Sequence, residues 1–484
     1  MVVNSFNFLI FFVVVFIVYY FLLNERTKLQ NWLLLVASYF FYGFASLKAV
    51  PILLVATVIT FFLGKAISNY NTSNKRKASV LTTVGVCLGI GLLLYFKYLN
   101  FFIESFTQFF NSIGLKCNPH TFNIILPIGI SFFTFKILSY LIEVHRCKME
   151  VCTDFVAFAT YVAFFPTILS GPIDRPNKFI PQIQNKRVFS YTLTSDGCMQ
   201  ILWGMFKKMV IADNLNSFIC QVWDNISVQG SFVLLLSSFL YLIQMYTDFS
   251  GYSDMAIGVG KILGFRITKN FDYPIFARNI AEYWSKWHIS LTGWLTDYVF
   301  MPLNIRFRNL GNVGVCLAIL INMVLVGLWH GANWTFALFG LYHGLLFIPL
   351  IYLGAFSSRK KIKVNRFGLP AFGDFSKMVL TFVLVSFGLV IFRASSVFEV
   401  GLYFTEMFTS NFINCAPVAT SKLLMPILFF CAMIIFEWKC RSSEYPLQDL
   451  KVQRFWKFFI VYFLIIVIVL FGQFGSNQFI YFKF

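Results

Sequence analysis

The stretch LVGLWHGANWTFALFGLYHG, Leu325 to Gly344, combines membrane-like apolar residues with two histidines. Its apolar residues predict helix on both sides of Gly331–Asn333, where Gly331 and Asn333 are poor helix formers. We therefore expect one helix to end at His330 and the next to begin at Trp334. At membrane depth such a break must be surrounded by protein or line a wet cavity, because its freed backbone groups need partners. The stretch thus predicts an irregular, protein-lined site beside His330.

The whole chain has the composition of a membrane protein. Hydrophobic residues make up 58%, aromatic residues 20% and charged residues only 12%, with a mean hydropathy of +0.73. These values far exceed those of a soluble domain. Because no polar stretch is long enough for a soluble domain, we predict one all-α integral membrane domain over residues 1–484.

Apolar runs long enough to span about 30 Å of hydrocarbon recur along the chain. They are Phe6–Leu23, Ala49–Ile67, Ala78–Tyr98, Phe122–Ile142, Phe232–Met245 with its apolar continuation, Val313–Trp329, Trp334–Ile351, Met378–Phe392 and Trp456–Phe474. Together with shorter candidates, they predict about ten to twelve crossings. The remaining apolar segments are expected to be re-entrant or interfacial helices.

The net charge of +19 is explained by membrane topology, so no nucleic-acid partner is expected. Basic residues concentrate in loops between spans, and alternate early loops carry them, which places the N-terminus outside the cytosol. These inside loops contain Arg26 and Lys28, Lys65, Lys75, Arg76 and Lys77, and Arg146 and Lys148; later ones contain the RKKIK run at Arg359–Lys363 and Lys439, Arg441, Lys451 and Arg454.

Polar residues within apolar surroundings cluster in the third quarter of the chain, where they are costly and usually face protein or water. The segment YTDFSGYSDMAIGVGKILGF begins at Tyr246 and contains Asp248, which either pairs with a buried cation such as Lys261 or supports catalysis. The following segment, Asn270–Leu303, is too polar to cross as a lipid-facing helix and too aromatic to lie in water. A re-entrant or interfacial helical segment fits both properties.

Three histidines fall in these regions. His343 is expected to bond a helix neighbour in the packed interior, and His288 is either an interfacial structural residue or a functional one. His330 lies between Trp329 and Gly331, where the missing side chain of glycine would leave room for a substrate beside the imidazole.

The chemistry open to His330 is narrow. The chain has no GxSxG elbow, HExxH pair or CxxC pair, so no metal site is expected. An imidazole with an ordinary pKa of about 6.5 can accept a proton from a hydroxyl, as acyl transfer from a thioester to an alcohol requires. No covalent enzyme intermediate is needed.

Six motifs in order along the chain carry a resemblance to a known family. They are LPIGISFFTFKILSYLIEVHR (Leu126–Arg146), FFPTILSGPIDR (Phe164–Arg175), YTDFSGYSDMAIGVGKILGF (Tyr246–Phe265), FDYPIFARNIAEYWSKWHISLTGWLTDYVFMPL (Phe271–Leu303), GLWHGANWTFALFGLYHG (Gly327–Gly344) and the closing FIYFKF. Together they resemble the membrane-bound O-acyltransferases, in the bacterial branch that acetylates alginate or peptidoglycan and includes the teichoic acid D-alanylation protein.

The resemblance implies a ring of tilted helices with a central tunnel in the bacterial cytoplasmic membrane. The family's near-invariant histidine matches His330 by its WHG context, and a second important position matches His288 by WHISL. Trp284, Trp287, Asp248 and Asn333 are weaker candidates for substrate or tunnel contacts. The implied reaction takes acetyl from cytosolic acetyl-CoA, with no bound cofactor, to a hydroxyl arriving from outside.

The implied partners are membrane lipid, the acyl thioester, and an extracytoplasmic acetyl-relay protein or polysaccharide acceptor. Two alternatives stay open. One keeps the fold but transfers D-alanine from a carrier protein to the teichoic acid pathway. The other is a transporter of a lipid-linked sugar, although the repeated halves usual in transporters are not seen.

Overall fold

The computed structural model describes residues 3–356, 362–412, 423–448, 453–475 and residue 479. These residues form helices joined by short connections, and the described ranges hold no strand beyond an isolated bridge between Val364 and Pro370. The predicted all-α membrane class is confirmed. Residues 359–361 of the basic RKKIK run, and Lys451, lie outside the described residues.

The α-helices in chain order are α1 (Phe6–Ile17), α2 (Thr27–Ala45), α3 (Val50–Ser73), α4 (Lys75–Leu93), α5 (Leu99–Ser112), α6 (Ile130–His145), α7 (Phe155–Ala163), α8 (Pro176–Gln184), α9 (Tyr191–Met205), α10 (Asp213–Trp223), α11 (Ser231–Ile262), α12 (Ile280–Lys286), α13 (Ile289–Leu295), α14 (Met301–Arg306), α15 (Gly311–His330), α16 (Trp334–Tyr352), α17 (Phe372–Arg393), α18 (Val397–Thr409), α19 (Leu424–Lys439) and α20 (Arg454–Phe471). Wider π-helical turns follow or interrupt several of them, as at Phe206–Ala212.

Six helical stretches in the described part of the chain are long and apolar enough to cross a membrane. They are Leu47–Ser73, Lys75–Ser112, Ser231–Ile262, Arg308–His330, Trp334–Tyr352 and Phe372–Arg393, with shorter apolar helices at Phe6–Leu22 and Phe455–Phe471. The protein is therefore a multi-pass membrane protein. The number of full-length helices is below the ten to twelve crossings expected, because several apolar runs form shorter helices.

The apolar run Phe122–Ile142 shows why runs and helices differ. Its helix, α6, begins only at Ile130 and has 16 residues. Pro127 cannot donate a backbone hydrogen bond, and Gly129 has a φ of +77°, a conformation that favours glycine. A Cβ on Gly129 would also lie 2.4 Å from the carbonyl oxygen of Ile168. Local backbone chemistry therefore makes the helix begin well inside the apolar run.

The chain divides into two compact units, and the first comprises residues 1–198 and 256–268. In this unit α6 packs against α3 and α4 and is buried along most of its length. Lys136 of α6 is buried and donates to the carbonyl oxygen of Tyr161 at 3.1 Å and to the hydroxyl of Thr167 at 3.0 Å. A buried cation therefore ties the chain around the end of α7 to α6.

The second unit comprises residues 199–255 and 269–484. Its α15 and α16 form an antiparallel hairpin in which the backbones approach closely at glycine. A Cβ on Gly327 would lie 2.0 Å from the carbonyl oxygen of Phe336, and one on Gly340 would lie 2.2 Å from that of Met323. Small residues at such crossings let membrane helices pack backbone against backbone. The prediction of one domain over the whole chain stays a prediction.

The segment predicted to be re-entrant or interfacial lies in this second unit. It forms α12 and α13, each of 7 residues, and α14 of 6 residues. A helix of 7 residues is only about 10 Å long, far less than the membrane's hydrocarbon thickness. These helices cannot cross by themselves, which agrees with the predicted re-entrant or interfacial segment.

Candidate active site

The break between α15 and α16 places the first candidate, His330, at the end of a helix. α15 ends at His330, Gly331 is extended, and α16 begins at Trp334, so the predicted break is confirmed. Asn333 caps α16, because its side-chain oxygen accepts from the backbone N–H of Thr335 at 3.0 Å. Its amide nitrogen donates to the carbonyl oxygen of Ser395 at 2.8 Å. Asn333 thus makes the contacts of a helix cap, and its role as a tunnel residue stays a prediction.

His330 is enclosed by aromatic rings. Only 4% of the residue is exposed. Its ring centroid lies 5.0 Å from that of Trp329, 5.1 Å from that of Phe392 and 6.4 Å from that of Phe339. A proton-accepting role for this ring requires its uncharged form.

The expectation that Gly331 leaves room for a substrate is wrong. A Cβ on Gly331 would lie 2.1 Å from a ring carbon of Phe336, so the edge of that ring already fills the space. The glycine therefore serves helix packing, and any substrate must reach the imidazole of His330 from another side.

The second candidate, His288, lies fully buried at the start of α13, outside the six candidate spans. Its backbone is left-handed, with φ +48° and ψ +49°, a conformation that costs a residue other than glycine about 1–3 kcal/mol. Two backbone hydrogen bonds hold this turn, from Ile289 N to Asn270 O and from Asp272 N to Lys286 O, both 2.9 Å. Burial lowers the pKa of His288 to about 3, so its ring is neutral at pH 7.

The indole ring of Trp329 brings the two histidines together. Its ring centroid lies 5.6 Å from that of His288 and 5.0 Å from that of His330, so the two imidazole centroids are at most about 10.6 Å apart. Phe249 of α11 packs edge-on against His288 at 4.7 Å. Two imidazoles thus share one aromatic surface, although 41 intervening sequence positions separate them.

Trp284 contacts a third histidine, His343. The indole N–H of Trp284 donates to Nδ1 of His343 at 3.4 Å, and both residues are buried. The expected packed interior is therefore found, with the partner coming from α12. Phe339 lies 4.6 Å from the ring of His343, so its ring contacts both that imidazole and the imidazole of His330. Trp284 is thus connected through His343 and Phe339 to the aromatic rings around His330.

Trp287 directly follows α12, stacked on Tyr283 at 5.4 Å and edge-on to Phe271 at 5.0 Å. It is buried and packs beside the turn that holds His288. The geometry shows a packing role for Trp287, and a contact with substrate stays a prediction.

Asp248 belongs to a cluster of buried ion pairs. It lies 2.5 Å from the ammonium of Lys208, which also lies 2.8 Å from Asp213. The neighbouring Lys207 lies 2.5 Å from Asp254. Successive residues of a regular α-helix point about 100° apart, whereas the π-helical turn Phe206–Ala212 buries both lysines against carboxylates.

The suggested pairing of Asp248 with Lys261 is therefore wrong. Lys261 pairs with Asp196 at 2.7 Å. Asp248 and Lys261 lie on the same helix, α11, about 20 Å apart along its axis, so they cannot meet. The observed pair supports the structural alternative for Asp248, in which the carboxylate neutralises a buried cation.

Sequence reasoning did not find Asn270, Phe392 or the lysine pair. Lys207 and Lys208 interrupt the apolar segment 201–211, and two cations in such a segment are a usable signal. Asn270 and Phe392 give no comparable signal, since their positions beside the histidines depend on tertiary packing.

Comparison with known proteins identifies the class. The profile of the membrane-bound O-acyltransferase family matches residues 35–392, which include His288 and His330. The chain belongs to this family and is a membrane O-acyltransferase. Membership favours the enzyme over the transporter alternative.

Three curated relatives refine the comparison. A probable alginate O-acetylase AlgI from Pseudomonas aeruginosa is 35% identical over 415 residues, covering 84% of this chain and 75% of the relative. A peptidoglycan O-acetyltransferase from Helicobacter pylori is 32% identical, covering 67% of this chain and 66% of the relative. A teichoic acid D-alanyltransferase from Streptococcus thermophilus is 31% identical, covering 54% and 65%.

Proposed function

We propose that the protein transfers acetyl from cytosolic acetyl-CoA to a hydroxyl outside the cytosol, for O-acetylation of a cell-envelope or secreted polysaccharide. The support is the share of the chain that each relative matches. The alginate O-acetylase of Pseudomonas aeruginosa matches over 84% of the chain, whereas the D-alanyltransferase matches over 54%. Acetyl is therefore favoured over D-alanyl as the transferred group.

In the proposed reaction His330 is the general base. The acceptor oxygen attacks the thioester carbonyl carbon as its proton passes to the imidazole, and the carbon–sulfur bond breaks as the carbonyl re-forms. The proton then passes to the leaving thiolate, so the products are an acetyl ester and the free thiol. No covalent enzyme intermediate forms. Exclusion of water from the buried ring protects the thioester from hydrolysis.

The observation that carries this proposal is the meeting of His330 and His288 at Trp329, in a helix break of a family acyltransferase. His288 is assigned to the side from which the acyl donor enters. Because His330 is 4% exposed, the thioester and the hydroxyl must reach it through passages in the protein. Transfer at this point moves the acetyl group across the membrane as it changes carrier.

The proposed orientation places the N-terminus outside the cytosol in a bacterial cytoplasmic membrane. Lys75, Arg76 and Lys77 support it, since they are exposed where one candidate span ends and the next begins. The variant Lys75→Cys, in a chain freed of other exposed cysteines, should react with an impermeant thiol reagent only after the cells are opened. An extracytoplasmic relay protein or the polysaccharide itself would then receive the acetyl group.

The test uses purified protein in liposomes, radiolabelled acetyl-CoA and candidate polysaccharide acceptors. His330→Ala should lower transfer per folded molecule by about 10²–10⁴-fold, the range for loss of a general base, while the protein remains folded. His120→Ala is the matched control, because His120 is exposed and distant in sequence from the break. Transfer by His330→Ala at the wild-type rate refutes the role of His330.

D-alanyl transfer is the alternative that the third relative keeps open. It predicts a charged carrier protein as the donor, with little cleavage of acetyl-CoA. Supplying each thioester separately to the same liposomes distinguishes the two donors.

A further inference from the structure

The side chain of Asn270 connects the His288 turn to α11 and is fully buried. Its oxygen lies 3.2 Å from Nδ1 of His288, and the same oxygen accepts from the backbone N–H of Ser290 at 3.2 Å and from its hydroxyl at 2.8 Å. Its nitrogen donates to the hydroxyl of Ser253 at 3.3 Å. One amide therefore fixes the start of α13.

These contacts determine which way the amide faces. A backbone N–H can only donate, so the atom of Asn270 that faces Ser290 N must be the oxygen. Reversing the amide would set its N–H₂ group against the backbone N–H of Ser290, which also can only donate. Because the amide oxygen carries no hydrogen, its hydrogen bond to His288 requires the proton to be on Nδ1.

A neutral imidazole carries one proton, so a proton on Nδ1 leaves Nε2 with a lone pair. We propose that Asn270 is a positioning residue that holds His288 in the Nδ1-protonated tautomer, so that Nε2 accepts a hydrogen bond from an N–H or O–H group of a substrate. The substrate part of this inference rests on the proposed acetyl transfer, whereas the tautomer does not.

The backbone makes the arrangement rigid. The carbonyl oxygen of Asn270 accepts from Ile289 N at 2.9 Å, so both ends of residue 270 hold the segment that contains His288. The left-handed backbone of His288 is sustained by these bonds. Residues held in such sparsely populated backbone conformations cluster at active sites and ligand-binding positions.

His343 is the opposite case in the same protein. An indole N–H can only donate, so the bond from Trp284 requires Nδ1 of His343 to be unprotonated, and its proton lies on Nε2. Spectra of the protein should therefore contain both neutral tautomers. His343 serves as an internal reference for the assignment.

The test is ¹⁵N NMR of protein labelled at its five histidines, with His288 assigned from the spectrum of His288→Gln. We expect the wild type to show His288 protonated at Nδ1 and unprotonated at Nε2. Asn270→Leu should move the proton of His288 to Nε2 in part or in full, and lower acetyl transfer about 10–100-fold, as for groups that orient metal-binding histidines. Asn270→Asp keeps an acceptor and should retain the Nδ1 proton and most of the transfer.

Asn71→Leu is the matched control. It removes an amide that donates to the carbonyl oxygen of Val144 in the first unit, so the His288 signals should not change. The proposal is overturned if wild-type His288 carries its proton on Nε2, or if folded Asn270→Asp does. Suppose that His288 carries its proton on Nδ1, but His330→Ala transfers at the wild-type rate or no acetyl donor supports transfer. The proposed function then fails, and the tautomer assignment stands.

Discussion

The second unit contains two buried polar clusters, which differ in how their polar side chains are stabilised away from water. In the imidazole cluster, His330 and His288 are surrounded by aromatic rings around Trp329. In the ion-pair cluster, Lys207 and Lys208 each lie within 2.8 Å of carboxylates. Paired charges neutralise each other and stay fixed, whereas uncharged imidazoles keep the capacity to take up a proton. The difference gives the ion-pair cluster a stabilising role and agrees with the proposal that the imidazole cluster carries out the chemistry.

The largest expected effect on stability tests the ion-pair cluster. Lys208→Met keeps most of the side-chain volume but leaves Asp248 and Asp213 without their shared cation. Removing one partner of a buried pair destabilises a protein by about 3–5 kcal/mol. Thermal unfolding of the purified protein measures the loss, and Lys75→Met at the exposed start of α4 is the control.

A double variant sharpens this prediction. Lys208→Met with Asp248→Asn removes one of the uncompensated charges and should recover part of the lost stability. A Lys208→Met protein as stable as the wild type, but unable to transfer acetyl, would place the ion-pair cluster in the reaction and break the comparison.

Gly327→Ala tests the packing of the α15–α16 hairpin that positions the imidazole cluster. The new methyl group would lie 2.0 Å from the carbonyl oxygen of Phe336, a backbone atom that cannot rotate away. Overpacking costs about 1–3 kcal/mol, and a backbone clash belongs at the upper end. The shift in the α15–α16 hairpin should also lower transfer, because His330 ends α15.

Gly401→Ala is the matched control, since a Cβ at Gly401 has no atom within 4 Å and the helix should gain slightly in stability. Equal unfolding temperatures for the two alanine variants would show that the hairpin tolerates the methyl group. That result would remove the packing role assigned to Gly327.

How far the sequence predicted this site depends on whether each signal is local. The break after His330 follows from Gly331–Asn333 and was predictable. The partner of Asp248 was not, because Lys208 lies on another helix and a π-helical turn brings it inward. The family resemblance singled out His288, but its distance from His330 depends on Trp329 and on packing that no local pattern encodes.

The third prediction tests whether His343 has only a packing role or takes part in the reaction. His343→Leu removes the acceptor for the indole N–H of Trp284, and a buried donor left unsatisfied costs about 1–3 kcal/mol. Transfer per folded molecule should stay within several-fold of the wild type. His343→Gln keeps an acceptor and should lose less stability. Loss of transfer in both variants at unchanged stability would move His343 into the imidazole cluster.

The smallest expected effect concerns Asn333, which the sequence offered as a tunnel residue and the structure shows as the cap of α16. Asn333→Ala leaves the N–H of Thr335 without its acceptor and should lower stability by about 1 kcal/mol. Asn333→Ser supplies another capping oxygen and should regain most of that loss. If capping is its main role, the total transfer by each variant should fall only as far as its folded fraction falls. Transfer that falls in the serine variant, whose cap is intact, would instead show that the asparagine amide itself meets a substrate.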